Sequence, residues 1–126
     1  MPEVLAVRLL IYNGLKRWEL MQSVAAKLNY YDPSEVQWWV SLAFAKRRAE
    51  SIEDATAVLL RGVALHPKEA ILHYNLACYE CQLGNLNGAK ERLRVAFKLE
   101  PRFRMAALDD DDLAPLWDPL GSEETA

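Results

Sequence analysis

Two cysteines, Cys78 and Cys81, stand three residues apart in the stretch L-H-Y-N-L-A-C-Y-E-C-Q-L-G-N, close behind His73 and Asn75. Thiols at that spacing could chelate a metal or cycle between dithiol and disulfide. A structural zinc site needs about four ligands, and one C-x-x-C supplies half of them. His73 precedes Cys78 by five residues, which is about 140° round a helix, so it points away from the pair. A thioredoxin-like pair follows a β-strand, and no alternating strand pattern precedes this one. The expectation is therefore no metal and no cofactor, with both thiols reduced.

Composition narrows the function further. The 126 residues are 52% apolar and 26% charged, a globular profile with room for one core. Net charge is −3 with acids and bases interspersed, which argues against nucleic acid as the partner. The opening M-P-E-V-L-A-V-R-L-L-I-Y has Arg8 inside its apolar run and reads as an amphipathic helix, not a leader. No window has the roughly 18 uninterrupted apolar residues of a membrane span. The expected setting is cytoplasmic. His66 and His73 are the two histidines, without a visible nucleophile–base arrangement or a phosphate-cradling glycine loop, so no enzyme is expected.

The elements that position these residues recur with a fixed period. Pro33, Pro67 and Pro101 are 34 residues apart. Trp18, Ile52 and Leu86 share that register, as do Leu9, Ala43 and Ala77, and Ala25, Leu59 and Leu93. Ala55 and Ala89 also coincide, with Met21 in the same place one period earlier. Val36, Trp39, Val40, Ala43 and Phe44 recur at the three- and four-residue steps of a helical apolar face. Ser51 reads as the N-cap of a second helix carrying Ile52, Ala55, Val58, Leu59, Val63 and Leu65. In the third period Gly84 permits a left-handed C-cap and Asn85 caps the next helix. Asp32-Pro33-Ser34-Glu35 and His66-Pro67-Lys68-Glu69 read as helix starts, with proline in the first turn. The fold class is all-α.

On these residues the chain resembles the tetratricopeptide repeat (TPR) family, across about residues 2–101. The likeness rests on Trp39, Leu42, Ala43, Ala55, Leu59 and Pro67, then on Tyr74-Asn75-Leu76-Ala77, Gly84, Ala89, Leu93, Ala96 and Pro101. Arg8 departs from it by standing in the slot of Leu42 and Leu76. The resemblance implies a right-handed α-solenoid of three hairpins, about residues 2–33, 34–67 and 68–101. A C-terminal cap over 102–118 would complete a single domain of residues 1–120, leaving 119–126 as a polar tail. Phe103, Ala106 and Ala107 are expected to cover the third hairpin, with Leu113, Leu116 and Trp117 folding back. Of the acidic run Asp109 to Asp112, one member is expected to cap a short turn; the other reading is a patch for a basic partner or cation. This ending resembles the closing segment of small bacterial TPR proteins.

In TPR proteins the first helix of each hairpin lines a concave groove that takes a peptide or helix of a partner. By that resemblance the groove here is Glu3, Ala6, Val7, Leu10 and Asn13, then Gln37, Val40, Ser41, Phe44, Arg47 and Arg48, then Ile71, Tyr74, Asn75, Cys78, Cys81 and Gln82. Its strip of Leu10, Val40, Phe44, Ile71, Tyr74 and Cys78 is apolar, and Arg47 and Arg48 at the rim would attract a carboxylate. TPR proteins that clamp a chaperone's terminal carboxylate resemble this chain at Asn75 alone, so that subclass is set aside. Trp39 is expected in the hairpin core and Trp38 against the preceding hairpin. The resulting expectation is a non-enzymatic adaptor or scaffold, monomeric or homodimeric. The alternative is an accessory coating a larger assembly, as bacterial kinesin-light-chain-like TPR proteins associate with tubulin-type cytoskeletal filaments, or a secretion-type TPR chaperone.

Overall fold

The computed structural model describes residues 2–117, and these are helical without a β-strand. The order is α1 Pro2–Gly14, α2 Trp18–Tyr31, α3 Val36–Ala49, α4 Ile52–Leu65, α5 Ala70–Gln82, α6 Leu86–Leu99 and α7 Phe103–Leu108. A 3-10 turn, Asp111–Leu113, and the short α8, Ala114–Trp117, come after these. The expected tail at 119–126 lies outside the described residues. No described helix is long and apolar enough to cross a membrane. The contacts group into two compact units that divide after Pro67.

In the first unit α1 packs on α2, α2 on α3 and α3 on α4. Short links of this kind make sequential helices antiparallel neighbours. Ala43 on α3 and Ala55 on α4 are fully buried where these helices pack, and such short side chains let the helices approach. Gly62 extends that approach: a Cβ there would lie 3.2 Å from the Trp39 ring. Trp39 is buried, as expected, and its Nε1–H donates to the Pro33 carbonyl at 2.8 Å. His66 Nε2 donates to the same carbonyl at 2.9 Å, tying the end of α4 to the α2–α3 turn. That turn corrects the expected helix start. Glu35 N–H donates to the Asp32 carbonyl at 3.2 Å, so Pro33 sits in a turn and α3 begins at Val36. Glu35, not a residue before the proline, is the N-cap, accepting from Gln37 N–H at 3.2 Å.

In the second unit α6 packs on α5, and α7 and α8 pack on α6. Pro67 again precedes its helix, since α5 starts at Ala70. Gly84, at φ 88°, closes α5 with Gly84 N–H on Cys81 O at 3.0 Å and Asn85 N–H on Glu80 O at 2.9 Å. Lys16 occupies the matching place after α1 at φ 57°, with Arg17 N–H on Tyr12 O at 2.9 Å. Ser51 and Asn85 cap α4 and α6 by accepting from Asp54 N–H and Gly88 N–H, at 3.0 and 3.1 Å.

Candidate functional site

Tyr74, Cys78 and Gln82 lie four residues apart, so α5 presents them in one row. The chain's own C-terminal segment runs along that row. Tyr74 Oη donates to Asp110 Oδ2 at 2.8 Å, and Cys78 Sγ lies 3.6 Å from the same oxygen. Gln82 Nε2 donates to the Asp112 carbonyl at 2.9 Å. Asp110 Oδ1 accepts Asp112 N–H at 3.0 Å and so caps the 3-10 turn, which is the capping role expected of one member of the acidic run. Phe103 stacks on the Tyr74 ring with centroids 4.8 Å apart. Leu113 is 0% exposed and Leu116 is buried. Trp117 is held by its Nε1–H on the Ala107 carbonyl at 2.9 Å. Ala107 is buried under this segment, whereas Ala106, expected to cover the hairpin beside it, is exposed.

The face expected to be an open groove on α5 is thus largely seated with chain. Tyr74 and Cys78 are buried, Ile71 and Asn75 half-buried, and Gln82 is exposed but bonded. Burial and the bond to the Asp110 carboxylate hold the Tyr74 hydroxyl well above its ordinary range. Burial also pushes the Cys81 thiol up, against a backbone hydrogen bond from Leu116 that lowers it. Both cysteines are free thiols. Cys78, Asp110 and Asp112 have ligand atoms within 4.8 Å of one another, a set that could hold a cation. Asp110 already accepts from protein donors on both its oxygens, however. Cys81 does not belong to that set, so the C-x-x-C spacing is not what brings potential ligands together.

The first unit keeps its share of the expected residues more accessible. On α1, Leu10 is 71% and Val7 55% exposed, whereas Leu9 is buried. On α3, Val40 and Phe44 are half-buried, Gln37 is exposed, and its Nε2–H donates to buried Ser41 Oγ at 3.1 Å. Arg48 is laid over aromatic faces, 3.8 Å from the Phe44 centroid and 5.3 Å from that of Trp18. Trp18 in turn meets Phe44 edge-on at 5.7 Å. Arg47 is half-buried and engaged. Sequence reasoning missed the contributions of Trp18 and Asp110. Trp18 was legible only as a member of the 34-residue register, and Asp110 is one of four chemically identical neighbours. Comparison with protein-family models and with curated proteins finds no match to this chain.

Proposed function

We propose that the chain is a non-enzymatic protein-interaction module of the tetratricopeptide-repeat kind, an adaptor or scaffold holding a peptide or helix of a partner protein. The observation that carries this reading is the bare apolar side of α1, where Val7 and Leu10 are more than half exposed. Val40 and Phe44 on α3 add half-buried apolar surface with an arginine stacked beside it. Apolar side chains gathered in this way are a common mark of an interaction surface, and an amphipathic helix is a suitable guest. The C-terminal segment on α5 supplies a chemical precedent: a short turn held by a tyrosine hydroxyl, a glutamine amide and a buried leucine.

The helix pairs recurring every 34 residues, with Ala43, Ala55, Ala77 and Ala89 fully buried, support the three-hairpin solenoid. His66 gives its Nε2 to a backbone carbonyl and His73 is buried, which supports a binding role over a catalytic one. Two buried free thiols are in keeping with a reducing, cytoplasmic setting.

The test begins by identifying a partner from an affinity pull-down and continues by calorimetry with that partner purified. Leu10→Asp and Phe44→Ala should each weaken binding about tenfold or more, while Leu60→Ala on α4 should leave it unchanged. Circular dichroism checks that each variant is folded. Undiminished affinity in both folded variants would sink the reading.

A further inference from the structure

Within the first unit, α1, α2, the turn after α2 and the start of α3 line a half-open pocket of about 520 Å³, with Pro2, Tyr31, Asp32 and Glu35 exposed at its mouth. Leu28, Leu5 and Pro2 give it an apolar lining, and Tyr31 and Trp38 add aromatic rings. Asp32 and Glu35 complete the lining, which contains no basic side chain among the described residues. The turn after α2 supplies both carboxylates, because the Glu35 N–H to Asp32 O bond folds the chain over between them. Each carboxylate uses one oxygen locally: Asp32 Oδ1 accepts from Ser34 Oγ at 2.5 Å, and Glu35 Oε2 from Gln37 N–H at 3.2 Å. Asp32 Oδ2 and Glu35 Oε1 accept no hydrogen bond among the described residues.

This composition selects a ligand class. An anion would face two carboxylates with no counter-charge among the described lining residues. A wholly apolar ligand would have to desolvate them without compensation. A planar cation on an aliphatic stem satisfies every wall. Its stem packs on leucine and proline, its flat face lies on indole or phenol, and its N–H groups reach carboxylate oxygens. The volume falls within the range of about 300–1,000 Å³ typical of ligand pockets.

We infer that this pocket is a recognition site for a guanidinium group, presented by an arginine side chain of a bound polypeptide. The inference is independent of the α1/α3 interaction surface, since none of the pocket's lining residues belongs to it.

The test is a titration of the full chain, tracking the indole N–H resonance of Trp38, which the Trp38→Phe variant assigns. N-acetyl-argininamide should shift that resonance. N-acetyl-citrullinamide, of nearly the same shape but uncharged, should bind about tenfold more weakly or not at all. The double variant Asp32→Asn/Glu35→Gln keeps acceptors for Ser34 and Gln37, so the turn should survive; it should lose about tenfold in affinity for the arginine probe. An unchanged melting curve establishes that this variant is folded. A capped Ala-Ala-Arg-Ala-Ala peptide should bind more tightly than N-acetyl-argininamide. Equal binding of the citrulline probe, full binding by the double variant, or no shift up to tens of millimolar would each overturn the site. A peptide that binds no better than the amino-acid probe would overturn the polypeptide source.

Discussion

Among the described residues, Glu80 is a carboxylate poorly served by its surroundings. Its side chain on α5 is 15% exposed, and Oε1 has no hydrogen-bond partner. Arg92 Nε, at 3.9 Å, is too far for a hydrogen bond to that oxygen. Burial raises the Glu80 pKa above 4.5, and the opposing pull of Arg92 is the smaller effect. A carboxyl whose folded pKa lies above its unfolded value binds its proton more tightly when folded. Its contribution to stability is therefore greatest in acid and falls as pH rises from about 4.5 through the folded value. Glu80→Gln should accordingly raise the melting temperature at pH 7, and the gain should shrink as pH is lowered toward 4.5. A gain that grows on acidification would contradict this. Tyr74 belongs to the same chemistry: burial, and then the bond its hydroxyl donates to the Asp110 carboxylate at 2.8 Å, raise its pKa.

The helices themselves were legible because periodicity and capping act locally. Ser51 and Asn85 cap as their sequence positions indicate, and Gly84 takes the left-handed conformation that its lack of a Cβ permits. The αL position at Lys16 was not legible, because the hydrogen bonds of the α1 terminus impose it against side-chain preference. Proline misled for a related reason: Pro33 suits a helix's first turn, yet Trp39 and His66 both seek its carbonyl. The C-terminal segment was legible as a cover but not in detail. Choosing Asp110 from four aspartates requires knowing where Tyr74 and Cys78 point. Among the residues that hold that cover down, Leu113 is completely buried. Leu113→Ala should cost about 2–5 kcal/mol in chemical denaturation. It should also speed native-state alkylation of Cys78 and Cys81, both now buried. If thiol reactivity stayed at the wild-type rate in a folded Leu113→Ala protein, the segment would not be what shields them.

Across the whole chain, one dimension recurs: the distance at which two helices of a pair may approach. The period of 34 places a fully buried alanine at Ala55 in α4 and at Ala89 in α6. These alanines belong to different units, the first in the unit ending at Pro67 and the second in the one beginning at Lys68. Ala55 serves the packing of α4 on α3, and Ala89 that of α6 on α5. Leucine at either place inserts three carbons into a site already closed, so side chains must leave their rotamers or the helices must part. Each substitution should cost about 1–3 kcal/mol. Because each acts inside its own unit, the double variant should lose their sum to within about 0.5 kcal/mol. Urea denaturation monitored by circular dichroism reads all three values. A single variant as stable as the wild type would mean that its helix pair has slack where the chain now leaves none. A double variant losing far less than the sum would mean that the two sites report on a shared adjustment and not on two separate close approaches.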